Sequence, residues 1–589
     1  MRILFLLFQI SISISLVAQD FQLKQKFVPN DWNHRDEFGG AVAIDKEYAV
    51  VGAKYHDFGA NGGDEFANTG AAFVFRKQKD GTWSEIQKLY GDFRSSRNSN
   101  TWFGYSVDIS GDYIIIGAVY DNTDLTGQNS LYQSGAAFIY ERTSDTTFGL
   151  KSKIIASDRK RDGQFGYSVS IYSSGVAMVG GPKNATNSTR NGAIFFYKRS
   201  APGSWVFDKK MDSRHGYSAD MTNSYAVSGH IGGTQIYTFK KDGSKNWVDA
   251  QTILPPNSSA SDLVGSSVAL TNQWLFIGAP EEDEDENNMN TILNSGAVYV
   301  YKIDQSGMFQ FSQKIVSPNR SDSRGFGISV EIDGNTAVVG LPFDETNENF
   351  VDTIINGGSI MIYELDSTDG KWKFKSKHVM PDRMISDMFG YDVAVSGNFV
   401  MSGSIGSKWS GIGKGRAKID AGSVYLYQNC SNLQKSATIT QNGTELVGAE
   451  GFDAYLWWNC NLEEIIAGEE GRVYEPSKGD TYALIAFKEG CADTSHCEQF
   501  TPLNLEESGL SKKVLIYPNP SKGAFSIEFE GELATQLTIT DISGKIVLDE
   551  PVVSAKNRIH LKANSGVYFA TFTFEKGTEQ KTKLILLNR

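Results

Sequence analysis

The densest group of potential metal ligands in the sequence is one short acidic run. It consists of Glu281, Glu282, Asp283, Glu284, Asp285 and Glu286. Carboxylate oxygens at close range are the ligands that Ca²⁺ prefers. The candidate calcium ligands are Glu281, Glu282, Asp283 and Asp285. A run of like charges is also typical of a solvated surface loop, and we favour this interpretation over the metal site.

The sequence lacks the motifs of the common catalytic sites. It contains no GxSxG, no HExxH and no CxxC, and its seven histidines are widely scattered. The segment GIGKGR (411–416) lacks the GK[ST] spacing of a phosphate-binding loop. We therefore expect no cofactor and no catalysis. Two carboxylates brought together by converging loops, as in glycoside cleavage, stay open as an alternative.

Composition narrows the fold class and the possible partners. The chain has 589 residues, 59 glycines, 12% aromatic residues and a formal net charge of −13. Abundant glycine without long helix-period stretches predicts an all-β protein, and the length predicts several domains. The negative charge argues against a nucleic-acid partner.

The N-terminus and the cysteines indicate export. The apolar leader MRILFLLFQISISISLVA predicts a secretory signal peptide over residues 1–18. No later segment is apolar over about 18 residues, so we expect no transmembrane segment in the mature chain. Disulfides are then expected among the four cysteines, with three pairings open. The cysteines are Cys430, Cys460, Cys491 and Cys497.

A repeated unit covers most of the chain. Each copy combines an alternating stretch such as FGYSVDIS with an aliphatic run such as YIIIGA, and seven copies are present. The first glycines of the copies are Gly39, Gly104, Gly166, Gly216, Gly265, Gly327 and Gly390. Small residues such as Gly117 suit crowded positions where strands converge on an axis. Each copy predicts four strands, because two further strand-like stretches follow the first two.

Seven four-stranded units predict a seven-bladed β-propeller over residues 19–429. The last unit has no fourth strand of its own, whereas the opening segment FQLKQKFVPND (21–31) resembles the fourth strands of the other units. We therefore expect residues 21–31 to close the last blade, which leaves no unpaired sheet edge at the seam.

The units resemble the FG-GAP repeats of integrin α-chain propellers and their bacterial relatives. That resemblance implies a ligand-binding propeller. The calcium-binding members of the family carry a DxDxDG-type loop between the first two strands, whereas this sequence has tight turns there, such as SGDY and DGNT. The integrin calcium sites are therefore not expected here.

Long variable loops predict where a ligand binds. In a propeller blade, the connection between the second and third strands lies on the same face as the connections between blades. Here those loops are long and variable, which favours recognition on that face. Trp409 and Tyr132 lie in them and could stack on sugars or protein partners, or could simply be packed within the loops.

The region from 430 to about 505 has a different character. Short alternating strands surround AYLWWNC, which predicts a small immunoglobulin-like sandwich with a tryptophan of the pair Trp457 and Trp458 in its core. Its W-x-x-C and GC-x-D-T-S-x-C patterns resemble spacer modules of secreted Bacteroidetes-type proteins. We expect a disulfide-stapled spacer domain.

Residues 513–589 predict a second small β-sandwich and an export signal. The segment YPNPSKG and the strands after it resemble the C-terminal sorting domain of the type IX secretion system. The matching motif residues are Tyr517, Pro518, Asn519, Pro520 and Gly523. The resemblance implies the type IX machinery as a partner and a secreted or outer-membrane cell-surface location.

Taken together, the sequence favours a secreted or cell-surface protein that binds an extracellular glycan or protein through one loop face, in adhesion or capture. A propeller-based polysaccharide-degrading enzyme and a structural surface-layer component are the alternatives.

Overall fold

The computed structural model describes most of the chain after the leader. It covers residues 21–29, 35–57, 68–78, 81–91, 100–184, 192–212, 214–230, 233–351, 353–408, 420–431, 436–488, 491–501, 513–519, 521, 523–541, 544–563, 566–575 and 577–586. The predicted signal peptide lies outside these residues, as do Trp409, GIGKGR and Pro520. Contacts divide the chain into two compact units. One takes residues 1–440, 447–474 and 481–498, and the other takes 441–446, 475–480 and 499–589.

Seven four-stranded antiparallel sheets lie between residues 21 and 429, and we number them as blades in chain order. Blade 1 has β2 (Ala41–Asp45), β3 (Tyr48–Ala53), β4 (Ala71–Lys77) and β5 (Trp83–Leu89); blade 2 has β6 (Phe103–Ser110), β7 (Tyr113–Ala118), β8 (Ala136–Ser144) and β9 (Thr147–Ile154). Blade 3 has β10 (Ser168–Tyr172), β11 (Val176–Gly181), β12 (Ala193–Ala201) and β13 (Ser204–Asp212); blade 4 has β14 (Ser218–Met221), β15 (Tyr225–Gly229), β16 (Ile236–Lys241) and β17 (Trp247–Ile253).

The remaining blades follow the same order. A 3₁₀ turn, Ala260–Asp262, precedes blade 5, which has β18 (Val268–Leu270), β19 (Trp274–Ala279), β20 (Ala297–Ile303) and β21 (Phe309–Ile315). Blade 6 has β22 (Ser329–Asp333), β23 (Thr336–Leu341), β24 (Ser359–Asp366) and β25 (Lys371–His378). Blade 7 has β26 (Phe389–Ser396), β27 (Phe399–Ser404), β28 (Ser423–Asn429) and, as its outer strand, β1 (Phe21–Phe27).

The blades form a closed ring. The first strand of each blade packs against the first strand of the next, and β26 of blade 7 packs against β2 of blade 1. The second strands are buried on both faces, as in β7, because each blade is covered by its two neighbours. The predicted all-β class and propeller architecture are confirmed.

Strand β1 joins blade 7 to both of its neighbours. It pairs antiparallel with β28, from Phe21 opposite Asn429 to Phe27 opposite Val424. Its two phenylalanines are almost completely buried. The Phe27 ring stacks on Phe75 of blade 1 at 4.6 Å, and the Phe21 ring meets His378 of blade 6 at 6.2 Å. The N-terminal strand therefore fills the core on both sides of the blade that it completes.

The repeat glycines form the seams between blades. All seven first glycines have a positive φ, between 84° and 92°, which favours glycine. Their carbonyl oxygens face the glycine of the second strand of the preceding blade. At Gly117, for example, a Cβ atom would lie 2.1 Å from the carbonyl oxygen of Gly166. The crowding expected near the axis thus comes from the neighbouring blade.

A serine in the first strand adds a hydrogen bond across four of these seams. Its hydroxyl donates to the carbonyl oxygen of the first glycine in the next blade, at 2.8 to 3.1 Å. The four donors are Ser106, Ser168, Ser218 and Ser267. This seam serine was not anticipated from the sequence, because its partner lies on another blade.

The region after the ring contains short strands and two disulfides. A sheet is formed by β31 (Ala454–Asn459), β32 (Glu464–Ile465), β34 (Thr481–Lys488) and β35 (Cys491–Thr494). Other strands are β29 (Ile439–Asn442), β30 (Glu445–Gly448), β33 (Val473–Tyr474) and β36 (Glu498–Gln499). The pairing that the sequence left open is Cys430–Cys491 and Cys460–Cys497. The core residue is Trp457, whose indole N–H donates to the carbonyl of Gly471 at 2.9 Å.

Two contacts join the first part of this region to the ring. The Cys430–Cys491 disulfide starts directly after β28. The Gln22 side chain of β1 exchanges two hydrogen bonds with the backbone of Ala492, at 2.8 and 3.0 Å. The domain boundaries at 429/430 and 505 stay predictions.

The C-terminal region forms two sheets around one apolar core. One contains β37 (Lys513–Tyr517), β38 (Ala524–Glu530) and β41 (Lys556–His560); the other contains β39 (Ala534–Asp541), β40 (Ile546–Pro551), β42 (Gly566–Phe574) and β43 (Glu579–Leu586). The motif residue Asn519 holds the last strand, since its amide bonds the Lys583 carbonyl at 2.7 Å and the Ile585 N–H at 2.8 Å. The described residues contain no helix long and apolar enough to cross a membrane.

Candidate functional site

Three loops at one end of the ring share a common internal scaffold. They join the second and third strands of blades 2, 5 and 6, have equal length, and cover residues 119–134, 280–295 and 342–357. We call them the matched loops. The third residue of each is a carboxylate paired with a lysine of the fourth strand of its own blade. The pairs are Asp121–Lys153 at 2.9 Å, Glu282–Lys314 at 3.2 Å and Asp344–Lys377 at 2.6 Å.

These buried pairs fix the start of each loop. Although burial opposes ionisation of Asp344, Lys377 holds the pKa of that carboxyl below its ordinary value. In the loop of blade 5, Glu282 also accepts a hydrogen bond from the Tyr299 hydroxyl at 2.5 Å. An arginine of the following connection closes each loop, as where Arg320 donates to the Asn290 carbonyl at 2.7 Å. The matched loops are therefore fixed by buried ion pairs and by hydrogen bonds from these arginines.

The acidic run is part of this scaffold. Asp285 accepts the N–H groups of Asn287 and Met289, both at 2.9 Å. At the equivalent position Asn347 accepts those of Asn349 and Val351 at 2.9 and 3.2 Å. Because uncharged Asn347 performs the same role, this turn needs a side-chain oxygen and no negative charge.

The other calcium candidates are placed in the same loop. Asp283 accepts the N–H of Asn294 at 2.6 Å, Glu282 belongs to the buried ion pair, and Glu281 is half-buried beside it. Within the described part of the chain, no group of three or more His, Cys, Asp or Glu side chains is arranged to hold a metal ion. Because Glu282 and Asp285 are buried, the run is not a fully solvated acidic loop, and calcium binding stays an untested prediction.

A row of aromatic rings crosses the same end of the ring. The residue after the first glycine is tyrosine in four blades, as Tyr105, Tyr167, Tyr217 and Tyr391. Three of these tyrosines join neighbouring rings into a continuous row, which we call the aromatic track. In order it contains Tyr55, Trp102, Tyr105, Tyr167, Tyr217, His230, His215 and Tyr237.

Adjacent rings of the track are in contact, and most of them meet tilted or edge to face. The centroids are 5.0 Å apart for Tyr105 and Tyr167, and 5.3 Å apart for Tyr167 and Tyr217. Trp102 lies near Tyr105 at 6.1 Å, with the two rings almost parallel. Seven of these eight residues are half-buried, and His215 is buried. The track extends from blade 1 to blade 4.

Lys54 connects the fourth tyrosine to the track. Its ammonium lies 5.7 Å from the ring centre of Tyr105 and 5.9 Å from that of Tyr391, and it pairs with Glu37 at 2.7 Å. Burial disfavours the charge on Lys54, but Tyr391 and Glu37 outweigh it and raise the lysine pKa. The lysine is therefore charged, and Glu37 neutralises it.

Blade 4 departs from the repeat at the end of the track. His215 replaces the motif phenylalanine, and its ring stacks on His230 at 3.8 Å. Burial, together with repulsion from His230 and Arg214, lowers the pKa of His215 to about 4, and burial lowers the pKa of His230. Both rings are uncharged near neutral pH.

The sequence analysis pointed to other aromatic residues. Tyr132 is exposed and lies against Arg161. It belongs to the matched loop of blade 2, whose Tyr120 contacts Trp102 of the track at 4.1 Å. Trp409 lies outside the described residues. The sequence feature that could have revealed the track is the motif position after the first glycine, which is Tyr in four copies and Gly, Ser or Ile in the others.

The axis of the ring contains a cavity of about 700 Å³, lined by all seven first strands. The carboxylates that line it include Asp108, Asp220 and Glu331. Asp392, in the first strand of blade 7, interacts with Glu331. All four side chains are half-buried, but they lie in the middle of the protein. Burial raises the pKa of Asp108 to about 7 and those of Asp220 and Asp392 to about 6, and it raises the pKa of Glu331 as well.

Three of these carboxylates hold neighbouring blades together. Each accepts a backbone N–H of the next blade in the ring. The bonds run to Asp108 from Ile171 at 2.7 Å, to Asp220 from Leu270 at 2.6 Å, and to Asp392 from Val42 at 2.8 Å. These three carboxylates therefore stabilise the contacts between neighbouring blades.

Comparison with known proteins agrees with both parts of the chain. The FG-GAP repeat family matches residues 21–75, 83–140, 148–197 and 247–301, and the secretion system C-terminal sorting domain family matches residues 515–587. No curated protein matches the sequence significantly.

Similar solved structures include a Lactobacillus plantarum protein at 11% identity and a TM-score of 0.38, and the Pseudomonas aeruginosa periplasmic gluconolactonase PpgL at 13% and 0.36. Each match covers 59% of this chain and 86% of the other. This chain is therefore a β-propeller protein of FG-GAP repeats with a type IX C-terminal sorting domain, secreted or attached to the cell surface.

Proposed function

We propose that this protein is a secreted or cell-surface binding protein, and that its ligand, an extracellular glycan or protein, docks at the end of the propeller that carries the aromatic track. The observation that carries the proposal is the track itself. Large half-buried rings with polar edges are typical of binding surfaces, because they offer apolar contact and hydrogen bonds together.

The scaffold around the track supports recognition over catalysis. The matched loop of blade 2, whose Tyr120 contacts Trp102, is fixed by the buried Lys153–Asp121 ion pair. Arg159 also holds it by donating to the Asn122 carbonyl at 2.7 Å. Loops that are already ordered lose little conformational freedom on binding, and this favours affinity. The carboxylates of the axial cavity are occupied with backbone amides of the ring.

The sorting domain provides the route to the outside. It implies the type IX machinery as the partner during export. The proposed arrangement is a recognition propeller followed by a removable or anchoring export signal, with the spacer between them.

The test uses the purified full chain on immobilised polysaccharides and matrix proteins, with and without EDTA, while released sugar is measured. We expect retention without released sugar. A matched pair of variants shows whether the track is used: Trp102→Ala lies in it, and Phe311→Ala alters an exposed aromatic residue in the outer strand of blade 5. Retention that both variants preserve equally would contradict the proposed site.

Two other outcomes would replace the proposal. Released sugar would establish a polysaccharide-degrading enzyme. Self-association without retention on any surface would favour the structural surface-layer component.

A further inference from the structure

We infer that the ligand of the aromatic track is a neutral polysaccharide, bound as an extended chain along the rings from blade 1 to blade 4. This inference rests on the proposed function and names the class of ligand. It follows from the continuity of the track, from the charge of its side chains and from the short connection between the second and third strands of blade 4.

Continuity favours a chain of repeating units. Successive rings from Tyr55 to Tyr237 lie between 3.8 and 6.1 Å apart, with no gap in the row. Tyrosine and tryptophan present apolar faces with a hydroxyl or N–H at the edge. A sugar ring has the complementary form, with C–H groups on its faces and hydroxyls around its rim. A row of such rings therefore fits a row of sugars.

Charge favours a neutral chain. Both histidines of the track are uncharged near neutral pH, Lys54 is neutralised by Glu37 at 2.7 Å, and Arg214 pairs with Asp249 at 3.1 Å. The track thus presents no excess of positive charge to an acidic polysaccharide. The net charge of −13 adds long-range repulsion of polyanions.

The short stretch of sequence between the second and third strands of blade 4 favours an extended ligand. The connection between its second and third strands covers only residues 230–235, whereas the matched loops of blades 2, 5 and 6 are much longer. The track ends at this short connection, with His230 and Tyr237 on either side of it. A chain that follows the rings can leave the ring there without crossing a long loop.

The experiment measures binding of the full chain to soluble probes by intrinsic fluorescence. The neutral probes are laminarin and yeast mannan, the anionic probes are alginate and polygalacturonate, and the protein probe is gelatin. We expect at least one neutral probe to bind and the anionic probes to bind more weakly. Trp102→Phe should abolish most of the fluorescence change, because Trp102 contacts the rings of Tyr105 and Tyr120.

Variants test the position of the chain. Tyr167→Leu should weaken binding of the neutral probe about 2- to 10-fold, which corresponds to the loss of one aromatic contact. Phe311→Ala, in the outer strand of blade 5, is the matched control and should leave binding unchanged. If Tyr167→Leu fails to fold, Tyr167→Phe keeps the ring and should weaken binding less than twofold. The loss of the fluorescence change in Trp102→Phe then still shows whether the bound chain covers the track.

The outcomes separate this inference from the proposed function. Binding of alginate or gelatin without binding of either neutral probe overturns the neutral-chain inference and leaves a binding propeller in place. Binding of laminarin or mannan that Tyr167→Leu and Trp102→Phe leave unchanged in affinity and signal also overturns it. Failure to bind any probe counts against both the neutral-chain inference and the proposed binding function.

Discussion

Two neighbouring residues of one strand show the difference between the seams of the ring and the end that carries the aromatic track. Ser106 occupies a position that is serine in five of the seven blades, and it donates to the Gly166 carbonyl of the next blade at 2.9 Å. Tyr105 precedes it and belongs to the aromatic track, at a position that holds Gly, Ser or Ile in other blades. What recurs around the ring therefore serves blade-to-blade contact.

The positions that depart from the repeat are concentrated at the end of the ring that carries the aromatic track. His215 replaces the motif phenylalanine in blade 4, and Lys54 stands among the tyrosines beside blade 1. Seven equal blades would give an end without preference for any direction. The departures give this end motif tyrosines in blades 2, 3, 4 and 7 and none in blades 1, 5 and 6. Recognition requires this asymmetry, whereas stability does not.

The largest effect is expected from opening the ring. Deletion of Phe21–Phe27 removes the outer strand of blade 7 and two buried phenylalanines, each worth about 3–5 kcal/mol. We expect a large drop in melting temperature, measured by circular dichroism. Phe27→Ala should lose about 3–5 kcal/mol, whereas Leu23→Ala on the exposed side of the same strand should change stability by about 0.5 kcal/mol. A deletion variant that melts like the wild type would refute the shared blade.

A smaller effect is expected at a single seam. Gly117→Ala places a Cβ atom against the Gly166 carbonyl, so we expect a loss of about 1–3 kcal/mol or more in denaturant unfolding. Gly243→Ala is the control, because a Cβ atom there meets open space. Equal stability of the two variants would show that the repeat glycines are not seam residues.

The axial carboxylates predict an unusual pH dependence. A carboxyl whose pKa is raised by folding stabilises the fold when protonated, and this stabilisation is lost as the pH rises through the folded pKa. Glu331→Gln keeps the acceptor for the Ile332 N–H and removes a charge beside Asp220 and Asp108. We expect the variant to exceed the wild type by about 1 kcal/mol at about pH 8 and to differ little at about pH 4.

Thermal melting across this pH range checks the prediction. The exposed substitution Glu47→Gln is the control and should leave the pH profile unchanged. A stability difference between Glu331→Gln and wild type that grows toward low pH would contradict the assignment, because the sign would then be reversed.

The smallest effect is expected in the acidic run. Asp285→Asn keeps the oxygen that accepts the Asn287 and Met289 N–H groups, as Asn347 does in blade 6, and loses only the bond from the Asn290 amide, so stability should change by about 1 kcal/mol or less. Melting curves with added Ca²⁺ and with EDTA should coincide. A melting temperature that rises with Ca²⁺ in the wild type and not in Asp285→Asn would revive the metal site.

The ring could be predicted from the sequence because its signals are local and repeated. Alternation in FGYSVDIS and the continuous run YIIIGA identify strands, and counting fourth strands assigns Phe21–Phe27 to the last blade. The pairing of Cys430 with Cys491 could not be predicted, since all four cysteines lie in one short span and spacing does not rank the pairings.

The track was missed for a different reason. Tyr105 has the same parity along its strand as buried Phe103 and Val107, and therefore resembles an ordinary core residue of its blade. Its neighbour Tyr167 lies on another blade, 62 positions later in the sequence, so only the closed ring shows that the two rings meet. The role of Asp285, in contrast, could have been found by aligning the matched loops, where Asn347 takes its place.

The most direct test compares Ser106→Ala with Tyr105→Leu, two neighbours in one strand with separate roles. Melting temperature and affinity for laminarin and yeast mannan are measured on both full-length variants. Ser106→Ala should lose about 1 kcal/mol of stability with unchanged affinity, because it removes one seam hydrogen bond. Tyr105→Leu should bind about 2- to 10-fold more weakly than Ser106→Ala. Equal affinity of the two variants, or loss of binding in Ser106→Ala alone, would contradict the division between repeated seam and unrepeated site.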